Sequence, residues 1–203
     1  MYFNFSEMSS GQIYHKMIET IAPRPIAWVL STNNDKSLNL APFSFFNGVC
    51  SNPPIISLSM GKKADGSLKD SRRNIDEREE FVINIPHVEW AQKVTDSATA
   101  LAENDSELRL VDLETIPCEG FPVPRLKDAR IAFLCKKTQI VEVGNTPQAL
   151  ILAEIIGVYV NDEFVANDDR KTINTVAINP LARLGGNDYC GIGDSFSKKP
   201  QVN

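Results

Sequence analysis

The segment that most limits what this chain can become is residues 38–60, Leu-Asn-Leu-Ala-Pro-Phe-Ser-Phe-Phe-Asn-Gly-Val-Cys-Ser-Asn-Pro-Pro-Ile-Ile-Ser-Leu-Ser-Met. It is the densest apolar and aromatic stretch in the sequence. Yet Asn39, Ser44, Asn47, Ser57 and Ser59 put polar groups where a plain core strand needs none. Two apolar runs flank Ser51-Asn52-Pro53-Pro54. Proline fixes its own φ and has no N–H to donate, so this pair marks a turn between two strands. Downstream, Lys69-Asp70-Ser71-Arg72-Arg73-Asn74-Ile75 gathers cations, a hydroxyl and an amide. An apolar shelf followed by such a cluster suits a flat aromatic ligand with a phosphate tail.

Around this segment the pattern is mostly strand. Ser9 with Gln12 three residues on is a capping box that starts a helix, and Pro23 and Pro25 end it. Residues 26–30 read as a strand, 38–41 as its hairpin partner, and 43–50, 55–60 and 81–85 as further strands. Residues 67–79 read as a short exposed helix. Residues 88–101 read as a longer one, with Trp90, Ala91, Val94 and Ala98 on one face. Residues 104–113 are acidic and irregular, and Pro117, Pro122 and Pro124 impose an extended loop. Two long strands, 130–143 and 149–160, flank a turn at 144–147. Many strands with few helices between them argue against βαβ alternation. They favour a mainly β fold, an antiparallel barrel with peripheral helices. At 203 residues one domain, 1–203, is expected.

The bulk numbers exclude several roles. A net charge of −5 argues against a nucleic-acid polymer as partner, since that needs a broad basic surface, but it leaves room for one local cation cluster. No apolar run reaches the roughly 18 residues of a membrane span. The N-terminus lacks the layout of a secretory signal, so a cytoplasmic location is expected. Cys50, Cys118, Cys135 and Cys190 are widely spaced and His15 and His87 lie far apart, so no metal site is expected. No nucleophile motif accompanies either histidine, and no catalytic side chain is assigned.

Ala22-Pro23-Arg24-Pro25-Ile26-Ala27-Trp28-Val29, Asn39-Leu40-Ala41-Pro42-Phe43-Ser44-Phe45-Phe46, Pro53-Pro54-Ile55-Ile56-Ser57-Leu58-Ser59, Lys69-Asp70-Ser71 with Asn74-Ile75, and Phe81-Val82-Ile83-Asn84 occur in that order. With Pro180-Leu181-Ala182-Arg183-Leu184-Gly185-Gly186 and Tyr189, they resemble the flavin reductase-like, flavoredoxin-type family of the FMN-binding split-barrel superfamily. The resemblance covers nearly the whole chain. It implies an FMN-binding split β-barrel, NADH or NADPH as electron donor, flavin and nicotinamide nucleotides as ligands, and a homodimer. It bears more on the fold and on FMN than on the reaction.

Each candidate residue also has a plainer reading. Lys69, Asp70, Ser71, Arg72 and Asn74 near a helix start would supply an FMN phosphate with cations and backbone donors. Taken alone they fit a solvated helix face better, and the resemblance turns the reading toward phosphate. Asn39, Ser44 and Asn47 would serve the polar edge of the flavin ring, with Pro42 aiming the backbone donors of residues 41–45, Ala41 among them. Phe43, Phe45 and Phe46 are also natural core residues. Neighbouring side chains on a strand face opposite ways, so Phe45 and Phe46 cannot cover one face together. Ser57, Ser59 and Thr32 fit a pocket wall and an ordinary half-exposed strand equally. Arg183 and Tyr189 enter only through the resemblance, as a segment that closes over the flavin or a neighbouring subunit. Hydride chemistry belongs to the flavin, so the leading expectation is an FMN-dependent NAD(P)H:flavin oxidoreductase. The alternatives are a flavoredoxin-like electron carrier reduced by a redox protein partner, or a non-enzymatic barrel that serves as a binding module.

Overall fold

The computed structural model describes residues 1–63, 65–99, 101, 106–145 and 148–200. Helix α1 (Ser10–Thr20) begins at the expected capping box. The Ser9 hydroxyl accepts from the Gln12 N–H at 3.3 Å, and the Gln12 carboxamide accepts from the Ser9 N–H at 2.9 Å. There follow β1 (Arg24–Pro25), β2 (Ala27–Thr32), β3 (Leu38–Phe43), β4 (Phe46–Ser51), β5 (Pro54–Met60), α2 (Asp70–Arg78) and β6 (Glu80–Ile85). Next come α3 (Ala91–Asp96), α4 (Glu107–Val111), the hairpin β7 (Thr115–Cys118) and β8 (Phe121–Leu126), and the long pair β9 (Ile131–Val143) and β10 (Gln148–Val160). The chain closes with α5 (Thr175–Ile178) and the short strands β11 (Ala182–Arg183) and β12 (Tyr189–Cys190).

Among the described residues the main sheet orders its seven strands β3-β2-β6-β9-β10-β5-β4, each neighbouring pair antiparallel. Its two edge strands, β3 and β4, are separated in the chain only by Ser44 and Phe45. A flat sheet of this width would hold its edges about 29 Å apart. A connector of this length reaches a few steps of ~3.5 Å each. The sheet therefore curls until its edges approach, making an antiparallel barrel split along the β3–β4 seam. The Ser59 N–H donates to the Phe45 carbonyl at 2.9 Å and ties the connector to β5.

Two cores lie on the two faces of this sheet, and β2 feeds both. Ile26, Trp28 and Leu30 pack outward with Leu40, Val82, Trp90, Val94, Val111 and Leu126, under α3, α4 and β8. Ala27 and Val29 point inward to Phe43, Leu58, Phe81, Ile83 and Ile151, and Ile75 of α2 plugs that end. A strand buried on both faces must be apolar at every position, which is why residues 26–30 read as an unbroken apolar run. Each such side chain contributes about 1.5–3 kcal/mol on leaving water.

The fold departs from the sequence reading in four places, the first being that the short helix expected to be exposed, α2, buries Ser71, Arg72, Asn74 and Ile75 against the sheet. Residues 43–50 are not one strand. β3 ends at Phe43 and β4 begins at Phe46, because the seam turns there. The helix expected over 88–101 is a 3₁₀ turn (Val88–Trp90) running into the short α3. The proline-rich stretch is a hairpin rather than a loop. A two-stranded hairpin leaves each strand one free edge, where a missing N–H costs nothing, and Gly120 turns it with φ 69°. Residues 102–105 of the acidic segment, and Thr146 and Pro147 of the expected turn, lie outside the described residues. Among the described residues no helix is long and apolar enough to cross a membrane.

Candidate functional site

A cleft of about 220 Å³ opens between β3, the N-terminus of α2 and the segment after α3. Its floor is a buried polar pair. Asn39 Nδ2 donates to Ser71 Oγ at 2.8 Å, and the two residues are 5% and 1% exposed. Behind them Asn74 Nδ2 donates to Asn33 Oδ1 at 2.7 Å and to Ser31 Oγ at 3.1 Å. Asn74 thereby fixes Asn33, which lines the cleft, against α2. At the N-cap of α2, Lys69 offers no side-chain cap, so the first-turn N–H groups have no side-chain acceptor from it. The one acid of that turn, Asp70, is held by Lys63 at 2.9 Å and Arg73 at 2.7 Å.

The opposite wall is one that sequence reasoning missed. It is made by Ser97, Ala98, Thr99, Leu101 and Glu107. Ser97 is fixed because its hydroxyl accepts from the Trp28 indole N–H at 2.8 Å. Glu107 is buried, and its Oε2 accepts from the Leu40 N–H at 2.9 Å. Burial pushes the Glu107 carboxyl above its ordinary range, against the hydrogen bond from Leu40. Next to it, Ser106 Oγ donates to the Leu38 carbonyl at 2.5 Å. Both are bonds to the outward edge of β3. Nothing local signals them, because the two partners lie 67 and 68 residues apart.

These bonds correct one expectation. Leu38 and Leu40 point their backbone groups away from β2, so by strand alternation Asn39, Ala41 and Phe43 point theirs toward it. The Ala41 and Phe43 amides are spent in the β2 ladder rather than turned to a ligand. Pro42 falls on the outward edge, where a strand tolerates proline.

A second opening, of about 410 Å³, lies beyond the Pro42–Phe43 ridge. Pro42, Phe43 and Lys69 line both openings, and Lys69 Nζ sits 5.7 Å above the Phe43 ring. Tyr14, Arg24, Ser44, Phe45, Ser59 and Arg183 are among its walls. Arg24 Nη1 donates to the Ile18 and Ile21 carbonyls at 2.5 and 2.6 Å, and Nη2 to the Leu184 carbonyl at 2.9 Å. Arg183 Nη1 donates to Tyr189 Oη at 2.8 Å and Nη2 to the Gly186 carbonyl at 3.1 Å.

The structure thus gathers Asn39, Ala41, Pro42, Phe43, Lys69, Asp70 and Ser71 in the first opening, and Ser44, Phe45, Ser59 and Arg183 in the second. Six other candidates line neither. Thr32 ends β2. Asn47 and Ser57 face each other on β4 and β5, and Asn47 is exposed. Arg72 turns away to Glu142 at 3.1 Å. Asn74 acts behind the cleft, and Tyr189 acts through Arg183, with its hydroxyl 3.0 Å from Thr95 Oγ1.

This fold and these openings have counterparts. The flavin reductase like domain matches residues 20–177. An uncharacterized protein of Halalkalibacterium halodurans is 35% identical over 97% of this chain and 95% of its own length. Among solved structures, nitrilotriacetate monooxygenase component B from Bacillus cereus superposes with a TM-score of 0.91 at 31% identity, covering 98% of both chains. Pseudomonas fluorescens 2-nitrobenzoate 2-nitroreductase gives 0.89 at 28% identity, over 100% of this chain and 98% of that one. Flavoredoxin of Desulfovibrio vulgaris (Miyazaki F), at 21% identity and 0.76 over 89% of this chain and 93% of its own, shares the fold. The chain belongs to the flavin reductase-like family, and its architecture is that family's split barrel. Its class is that of the flavin-related oxidoreductases.

Proposed function

We propose that this protein is an FMN-dependent oxidoreductase that takes hydride from NADH or NADPH and passes it to a flavin acceptor. The observation that carries the reading is the Asn39–Ser71 pair at the start of α2, buried beside the Pro42–Phe43 ridge. The residues fit the cofactor. Ser71 Oγ already accepts from Asn39, so its own proton is left for a phosphate oxygen. The first-turn N–H groups of α2 and the positive end of its dipole favour an anion. Lys69 adds a cation, while Lys63 and Arg73 hold the Asp70 carboxylate that would otherwise repel the phosphate.

The aromatic ridge then offers an apolar seat to a flat ring, with Ser44 at its polar end. Ligand sites of this kind are mainly apolar with a few placed polar groups. Bound FMN would supply hydride acceptance and release at its ring.

The proposal extends to a homodimer. Val49 of β4 and Ile156 and Val158 of β10 are each more than half exposed, on strands separated in the sheet only by β5. Apolar side chains grouped in this way on a surface favour a partner. Asn47 and Ser57 pair across β4 and β5 close to Val49 in the chain, and in this reading a second copy brings them to its neighbour's flavin.

The test is to mix purified protein, FMN and NADH, then NADPH, and follow nicotinamide absorbance. Consumption above the buffer rate is expected. A protein that holds FMN but leaves both nicotinamides intact would be an electron carrier instead. One that takes up no flavin at all is a binding module.

A further inference from the structure

The second opening has an unusual charge balance for an acidic protein. Arg24, Arg183, Lys69 and His15 line it, and no Asp or Glu stands among its described lining residues. Neither arginine is ion-paired to a carboxylate among the described residues. Arg24 is 5% exposed, and its guanidinium is met by the carbonyls of Ile18, Ile21 and Leu184 and, at 3.5 Å, by the Ser44 hydroxyl, none of which carries charge. Carbonyl dipoles satisfy donors but do not neutralise charge, and a buried charge without a counter-ion is costly. Burial lowers the Arg24 pKa, the Tyr14 hydroxyl raises it and Arg183 lowers it, as expected of a guanidinium short of an anion beside a second one. Arg183 is held in place from below by Tyr189, whose ring lies 4.8 Å from the guanidinium carbon.

Both arginines have structural duties, but these do not account for the pocket. Arg24 ties the end of α1 to the β11 region, and Arg183 braces the turn at Gly186. The hollow itself sets cations beside aromatic rings: Arg24 lies 6.0 Å from the Phe45 ring and Lys69 5.7 Å from that of Phe43, with Tyr14 also in the lining. It adjoins the first opening across the Pro42–Phe43 ridge.

From this we infer that the Arg24–Arg183 opening is the seat of the second substrate, and that it selects a planar molecule bearing a carboxylate or phosphate. Calling this ligand the second substrate rests on the FMN reading above. The preference for an anion rests on the arginines alone. Here Arg183 serves the substrate anion rather than the flavin, and Tyr189 is its positioning residue. A guanidinium matches a two-oxygen anion edge to edge, which a neutral isostere cannot reproduce.

The test compares para-fluorobenzoate with its neutral isostere para-fluorobenzamide, by fluorine NMR titration of the protein saturated with FMN. The acid should bind at least about tenfold more tightly than the amide. Arg183→Gln should abolish that ratio while FMN affinity stays within about twofold, and Arg183→Lys should restore part of it. Inorganic pyrophosphate and unlabelled benzoate are then used as competitors. Stronger displacement by pyrophosphate supports the site with a nucleotide phosphate as its source, and stronger displacement by benzoate supports it with an aromatic acid. Equal binding of acid and amide to the unaltered protein would overturn the inference, and so would a preference that survives in a folded Arg183→Gln protein. The fluorine signal needs no flavin, so the titration is repeated without FMN. An anion preference in a protein that never takes up FMN would sink the flavin reading and leave this one standing.

Discussion

Asn39 on β3 and Ser71 on α2 are joined by a 2.8 Å hydrogen bond in which the carboxamide donates and the hydroxyl accepts. That direction leaves the serine proton unspent beside an uncapped helix start. If the proton meets the FMN phosphate, Ser71→Ala should weaken FMN binding about tenfold, the worth of one hydrogen bond to a charged group. Quenching of FMN fluorescence on titration measures it. Unchanged affinity would move the phosphate elsewhere.

Glu107 makes stability depend on pH. Burial raises its folded-state pKa above the unfolded value, so the folded protein holds this proton more tightly. Its contribution to stability is present in acid, below the unfolded pKa, and is lost as pH rises through the folded pKa toward neutrality. Glu107→Gln keeps an acceptor for the Leu40 N–H and removes the titration. The variant's melting temperature should therefore fall less than the unaltered protein's between acid and neutral pH. Parallel melting curves across that range would show that Glu107 is not the titrating group.

Ser97→Ala should destabilise without opening a large cavity. It strips the fully buried Trp28 indole N–H of its acceptor among the described residues. An orphaned buried donor costs about 1–3 kcal/mol. In a chain of this size that is a fall in melting temperature of roughly 2–12 °C, readable by calorimetry. Ser97→Thr keeps the hydroxyl and should recover most of the loss.

The exposed apolar residues of β10 predict assembly. Ile156→Glu places a charge among Val49, Val158 and their counterparts on a second copy, and sedimentation should show a shift from dimer to monomer. An unchanged sedimentation coefficient would place any interface elsewhere.

Much of this was legible from local pattern. The Ser9–Gln12 box, the Pro53–Pro54 turn, the doubly buried β2 run and the Lys69–Ser71 cluster are signals that neighbouring residues set for one another. What escaped depends on distant neighbours. Glu107 and Ser97 wall the cleft only because β3 and Trp28 need acceptors there. Nothing near Arg24 in sequence announces that its guanidinium ends among carbonyls from α1 and from Leu184. The break at Ser44–Phe45 follows from the curl of the whole sheet, and local propensity reads straight through it.

The outward edge of β3 gives the molecule a direction for assembly. Unpaired strand edges recruit further strands, and this one is answered by the Ser106 hydroxyl at Leu38, the Glu107 carboxylate at Leu40 and a proline at position 42. No second chain can add itself there. The other edge, β4, is exposed from Asn47 to Ser51 and is interrupted by a bulge between Gly48 and Cys50, with the Gly48 N–H held by Asn47 Oδ1. The barrel thus has one edge shut by side chains and one only kinked by a bulge, and the shut side is where the candidate cofactor cleft lies. Growth into fibres needs two open edges, so an oligomer built from this chain through strand edges would end at a pair.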